Sequence, residues 1–207
     1  MFEISSVILA GGKSKRFGKN KAFLKIGGRI LIDQIVEKMG RLSNEIIIIT
    51  NILKKFDYLP KKINYLNVKL IKDIIPYKGS LGGIYSGLLF AKNNYIFVVA
   101  CDMPFLNIPL LKYIISFLQD YDVVIPKIND FFEPLHAIYS KKCIKPIKKL
   151  IDENSLKIID FFKDVNVKFV KKNEIEKFDP DFLSIFNINT LEDLKIAKER
   201  AKTKNNF

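Results

Sequence analysis

The chain has 207 residues, 48% of them hydrophobic, with a formal net charge of +13, which suits one domain of roughly 100–200 residues with a sizeable core. A single histidine and two distant cysteines, Cys101 and Cys143, exclude a zinc site or a disulfide framework, so any metal must be a hard ion on oxygen ligands. The charge invites a nucleic-acid reading, but only four of the 35 basic residues are arginine, the residue of bidentate base and phosphate recognition, so a polyphosphate substrate steered by a basic surface fits better.

In chain order, the N-terminus enters an apolar run with no basic leader or cleavage site, and no signal peptide is expected. No apolar stretch approaches the roughly 20 residues that span a bilayer. A cytoplasmic protein without membrane contact is expected. Residues 1–202 read as one domain and 203–207 as a frayed tail.

Ser6–Leu9 predicts the first strand and leads into Ala10-Gly11-Gly12, a polar basic loop and Lys21-Ala-Phe-Leu. A Walker A loop ending at Gly12-Lys13-Ser14 would need glycine where Val7 stands. A dinucleotide fingerprint would need glycines two and three apart, whereas the loop has Gly11, Gly12 and Gly18. Both readings fail. Adjacent glycines after a strand let the backbone turn sharply and present bare N–H groups to an anion. Arg16 and Lys21 would add charge; an ordinary turn with a solvated basic flank is the alternative.

Leu31, Ile35, Met39 and Leu42 mark an amphipathic helix, and Glu45–Thr50 a second strand followed by Asn51. Strand Val68–Lys72 places Asp73 before a glycine-rich segment containing Gly79 and Gly83, and helix Ser80–Lys92 follows. Asp73 reads equally as a nucleoside ligand or a turn residue. Tyr95–Ala100 should be a buried strand with Asp102 emerging at its carboxyl end, in C-D-M-P-F-L. Helix Ile108–Leu118 has Asn107 as N-cap and Pro109 in its first turn. Strands Val123–Pro126 and Val167–Val170 follow, separated by E-P-L-H-A with His136. Near the end, Asn187 and Asn189 alternate along an extended segment, and Thr190 to Asp193 forms a capping box opening the last helix. Strands alternating with helices predict an α/β fold, a mostly parallel central sheet with helices on both faces, with ligands beyond the carboxyl ends of the strands.

The string L-A-G-G-x-S-x-R-F-G-x-x-K, with C-D-M-P-F-L, E-P-L-H-A-x-Y and F-N-I-N-T-L-E-D-L, closely resembles the Rossmann-like nucleotidylyltransferases, of three-layer nucleotide-diphospho-sugar transferase type. Among them it looks most like molybdenum cofactor guanylyltransferase, from Val7 to about Leu194. The resemblance implies transfer of GMP from Mg·GTP to the phosphate of molybdopterin, with release of pyrophosphate and no nucleic-acid partner. It implies nucleotide contacts from Leu9, Ala10, Gly11, Gly12, Asn51, Asp73, Gly79 and Gly83. Arg16 and Lys21 match the phosphate-facing residues, and Asp102 the metal aspartate, for Mg²⁺ with Mn²⁺ as a substitute. Asn187, Asn189 and His136 match the acceptor side. Ser80 stands where the family has proline. CTP in place of GTP, a non-catalytic binding protein, and a carrier or insertion protein as partner remain open at this point.

Overall fold

The computed structural model describes residues 2–11, 20–64 and 66–203. In chain order these form β1 (Ser5–Leu9), β2 (Lys25–Ile26), β3 (Arg29–Ile30), α1 (Leu31–Gly40), β4 (Glu45–Ile49), α2 (Leu59–Lys62), β5 (Asn67–Ile71), α3 (Gly79–Phe90) and β6 (Tyr95–Ala100). Then come α4 (Ile108–Ile115), β7 (Val123–Ile128), β8 (Phe131–Phe132), β9 (His136–Ser140), α5 (Ile144–Asp152), β10 (Val167–Lys171), α6 (Lys172–Ile175) and α7 (Leu191–Thr203).

The main sheet runs β10-β7-β9-β6-β1-β4-β5, with β8 paired to β7. Neighbours from β6 through β1 and β4 to β5 are parallel; β9 alone lies antiparallel between β6 and β7. Side-chain alternation along each strand sorts the apolar residues to two faces. Ile8, Ile46, Ile48, Phe97 and Val99 face α1 and α4, packing with Leu31, Ile35, Leu110 and Ile114. Val7, Ile47, Ile49, Ile96 and Val98 face α3 and α5, packing with Ile84, Leu88, Ile147 and Ile151. The result is the three-layer arrangement expected from the sequence.

One helix approaches the sheet unusually closely. A Cβ on Gly87 would meet Val7 Cγ1 at 2.8 Å, and one on Gly83 would meet Leu9 Cδ2 at 2.9 Å. The two glycines therefore let the backbone of α3 lie hard against β1, so its first turn borders the strand's carboxyl end.

The six predicted strands are present with ends displaced by a few residues. Helix α4 stops at Ile115, short of Leu118, because residues 116–118 tighten into three-residue bonds, such as Leu118 N–H to the Ile115 carbonyl at 3.0 Å, and Gln119 turns left-handed at φ 78°. Helix α3 ends at Phe90 because Ala91 is extended. The N-cap of α4 is as expected: Leu110 N–H donates to Asn107 Oδ1 at 3.0 Å.

Candidate active site

Strand β1 is the switch point of the sheet: the chain builds outward to β4 and β5 on one side and returns to β6 on the other. Open α/β sheets bind ligands in the crevice at such a point. Here the strand ends are locked together. The Ala10 amide donates to the Ile49 carbonyl at 2.8 Å, the Cys101 amide to the Leu9 carbonyl at 3.1 Å, and Thr50 Oγ1 to the Ala10 carbonyl at 3.2 Å. A cleft of about 510 Å³ opens there, bordered by Leu9, Gly11, Lys21, Asn51, Asp73 and Asp102, with Gly79, Ser80 and Gly83 of α3 on one wall.

Lys21 opens a short 3-10 turn, Lys21–Phe23, whose N-cap Asn20 accepts the Ala22 amide at 2.9 Å while the Ala22 side chain is fully buried. That anchored turn aims the Lys21 ammonium at two oxygens, Asp102 Oδ2 at 2.8 Å and Asn189 Oδ1 at 2.9 Å. The paired side chains of Lys21 and Asp102 are only 16% and 17% exposed. Asp102 emerges from β6, and its carbonyl accepts the Ile188 amide at 3.0 Å. Asn189 is held in turn by the opening of α7. Its amide and that of Thr190 donate to Asp193 Oδ2 at 2.8 and 2.7 Å, and the Asp193 amide donates to Thr190 Oγ1 at 3.1 Å. Against the upward push of burial, those amides hold the Asp193 carboxyl below its usual range.

Asp73 and Asn51 also border the cleft. Asp73 Oδ1 accepts the Ile75 amide at 3.1 Å and the Ser86 hydroxyl at 2.9 Å. It therefore is a turn residue, and it also borders the cleft. Asn51 Nδ2 lies 3.7 Å from where a Gly11 Cβ would sit. The Leu-Ala-Gly stretch is only partly available to a ligand: the Ala10 amide and the Leu9 and Ala10 carbonyls already have partners. Arg16 and Gly12 lie outside the described residues.

His136 is not at the cleft. It is fully buried on β9, edge-on to Phe97 at 5.8 Å, with Nε2 3.3 Å from Ser184 Oγ. Burial holds its pKa down to about 3, so the ring is neutral, and among the described residues Nδ1 has no hydrogen-bond partner. Asn187 pairs with another residue of the same E-P-L-H-A segment: its Nδ2 donates to Glu133 Oε2 at 3.0 Å and to the Ile185 carbonyl at 3.1 Å. Glu133 is the residue that reading for chemistry passed over in favour of His136. Burial pushes its carboxyl above the usual range, opposed by bonds from Leu135 and Asn187 and reinforced by the charge of Asp102. An acid directly before proline, between two short strands, was the available signal. Cys101, next to Asp102, is no nucleophile; burial, then the Asp102 charge, pushes its thiol up to about 12.

The donor set fits a hard divalent cation sharing a polyphosphate. Among the described residues no group of three or more His, Cys, Asp or Glu could hold a metal. One carboxylate, Asp102, with the amide oxygen of Asn189 near the same ammonium, is what Mg²⁺ uses when phosphate oxygens and water complete its shell. No helix among the described residues is long and apolar enough to cross a membrane.

The sequence matches the MobA-like NTP transferase domain over residues 6–165. It is 35% identical over 204 residues to the molybdenum cofactor guanylyltransferase of Desulfosudis oleivorans, with 98% of each chain covered. It is 31% identical over 193 residues to that of Syntrophotalea carbinolica, covering 92% of this chain and 89% of the relative. Among solved structures it is similar to molybdopterin-guanine dinucleotide biosynthesis protein A from Archaeoglobus fulgidus. That match has a TM-score of 0.83 at 27% identity, covering 97% of this chain and 100% of the other.

Proposed function

The chain belongs to the MobA-like NTP transferase family, and from that premise we propose that it transfers GMP from Mg²⁺-bound GTP to the phosphate of molybdopterin, releasing pyrophosphate. The observation that carries the reading is the meeting of Lys21, Asp102 and Asn189 at the switch point of the sheet.

An oxygen of the acceptor phosphate attacks the α-phosphorus of GTP, and the bond from that phosphorus to the bridging oxygen of the pyrophosphate breaks. The electron pair leaves with pyrophosphate. An anionic phosphate needs no general base, so the protein's work is positioning and charge neutralisation. Lys21, now paired with Asp102, exchanges that carboxylate for phosphate oxygens and stabilises the charge gathering on the α-phosphoryl group and the leaving group. Arg16 supports the same phosphates. Asp102 and Asn189 would hold Mg²⁺, which supplies Lewis-acid neutralisation of the triphosphate.

Asp73 and Asn51 take the nucleoside at the β4–β5 end of the cleft, with Gly11, Gly12 and the first turn of α3, Gly79 and Gly83, against the triphosphate. Lys78, the N-cap of α3, makes no side-chain capping bond, which leaves first-turn amides for water or an anion. Asn187 and Asn189 border the acceptor side. His136 has a structural part only.

Calorimetric titration with GTP, CTP, ATP and UTP, each with and without Mg²⁺, tests the reading. Mg²⁺-dependent preference for GTP is expected. Preference for CTP would move the protein to cytidylyl transfer, and binding of no triphosphate would remove the proposal.

A further inference from the structure

Three bonds strap residues 187–189 across the carboxyl end of β6. Asn187 Nδ2 donates to Glu133 Oε2 at 3.0 Å, the Ile188 amide to the Asp102 carbonyl at 3.0 Å, and Lys21 Nζ to Asn189 Oδ1 at 2.9 Å. The last two touch the site directly. The first runs to a residue that does not line the cleft and belongs to a different part of the chain.

Glu133 is itself firmly held. Its amide donates to the Pro126 carbonyl at 3.2 Å, its carbonyl accepts the His136 amide at 3.2 Å, and its Oε1 accepts the Leu135 amide at 3.2 Å. Next to it, the Tyr139 hydroxyl donates to the Pro134 carbonyl at 2.8 Å. The turn between β8 and β9 is thus a fixed post, tied to β7 and β9 of the sheet. With one N–H of the Asn187 amide directed at Glu133 and another at the Ile185 carbonyl, both donors of Asn187 are committed. The amide cannot flip without losing both, and Oδ1 is the polar atom it has left to offer.

We propose that Glu133 is a positioning residue for GMP transfer: acting through Asn187, it fixes the 187–189 strap and so keeps Asn189 and Asp102 in register with Lys21. The proposal rests on the transferase reading for its kinetic consequence but not for its structural one. Glu133 lies outside the lining of the cleft and acts through its bond to Asn187. Its loss loosens a strap whose other two bonds define the geometry around Lys21, and misplacement by about 1 Å at a transfer site costs on the order of 100-fold in rate.

Wild type, Glu133→Ala and Glu133→Gln decide it. The glutamine keeps the shape, yet its single oxygen can accept from Leu135 or from Asn187 while its amide nitrogen faces the other donor. Hydrogen exchange of the Ile188 amide is read first, against the amide of Phe97 in the buried centre of β6. Glu133→Ala should speed Ile188 exchange by about tenfold or more and leave Phe97 unchanged. In GMP transfer it should lower kcat by about 100-fold while GTP affinity stays within about twofold, with Glu133→Gln between it and wild type. Unchanged Ile188 exchange would overturn the proposal. So would wild-type kcat in Glu133→Ala, or a loss of GTP binding in step with activity. If wild type itself transfers nothing, the transferase reading fails, and the Ile188 exchange still decides the strap.

Discussion

The Lys21 ammonium lies 2.8 Å from Asp102 Oδ2, joining residues 81 apart in the chain across the carboxyl ends of β1 and β6. Each partner keeps the other's charge compensated in a site where both are mostly buried, so the cleft is assembled before a nucleotide enters. Lys21→Ala and Asp102→Ala should each lower kcat by about 10²–10³, the usual loss when one preorganised charge is removed from a transfer site. Because the two act as a unit, the double variant should be little worse than the poorer single one. Steady-state pyrophosphate release checks both statements, and wild-type turnover in either single variant would remove that residue from the mechanism.

Asp73→Asn keeps the acceptor for the Ile75 amide but loses the charge that borders the cleft, where the account places the nucleoside. GTP affinity should weaken about tenfold, the scale of one charged hydrogen bond, while CTP affinity should hardly change. Competition titration of the two nucleotides reads the difference. Unaltered selection would leave Asp73 as a turn residue alone.

His136 gives the protein an acid-sensitive core. Its pKa is about 6.5 in the unfolded chain and about 3 when buried. Below pH 6.5 the unfolded state therefore binds a proton that the folded state refuses. Stability that is fully present above pH 6.5 drains away as the pH falls towards 3, and this one residue should account for about 2 kcal/mol between pH 7 and 5. Urea unfolding at the two pH values, compared with His136→Gln, isolates the contribution: the variant should lose about 2 kcal/mol less than wild type. Equal losses would mean that the ring is protonated in the fold. Activity of the variant should stay near wild type at pH 7, since the ring is away from the cleft.

Much of this was legible in the chain. Apolar runs bounded by turns located the six strands that build β1, β4, β5, β6, β7 and β10, and Asn107, Thr190 and Asp193 cap their helices as their residue types require. Strand β9 was not foreseen: His136-Ala-Ile-Tyr-Ser140 has its polar ends buried, so no alternation of polar and apolar residues announces it. Helix α5 was also missed, although Ile147, Leu150 and Ile151 carry a buried stripe; it opens from a 3-10 turn rather than from a recognisable side-chain cap. Of the site, Asp102 and Lys21 stood out by their motifs. Their pairing, and the link from Lys21 to Asn189 across 168 residues, is a product of sheet order that no spacing reveals. Glu133 acts through a partner 54 residues away, which hides it in the same manner.

Close packing of α3 on β1 has its own consequence. Gly87→Ala would drive a methyl against Val7 Cγ1 and Cγ2, 2.8 and 3.0 Å from the new atom, and should destabilise the protein by about 1–3 kcal/mol. Val7→Ala vacates that space, so the double variant should lose less than the two single losses added together. Chemical denaturation measures all three, and strict additivity would show that the helix simply shifts.

The most direct measurement supplies the protein with Mg²⁺, molybdopterin and GTP labelled at the α-phosphate. The account predicts label appearing in the pterin product, one pyrophosphate released per label transferred, and no transfer when the metal is chelated. Label transferred from CTP but not from GTP, or pyrophosphate released with no label in the acceptor, would contradict it.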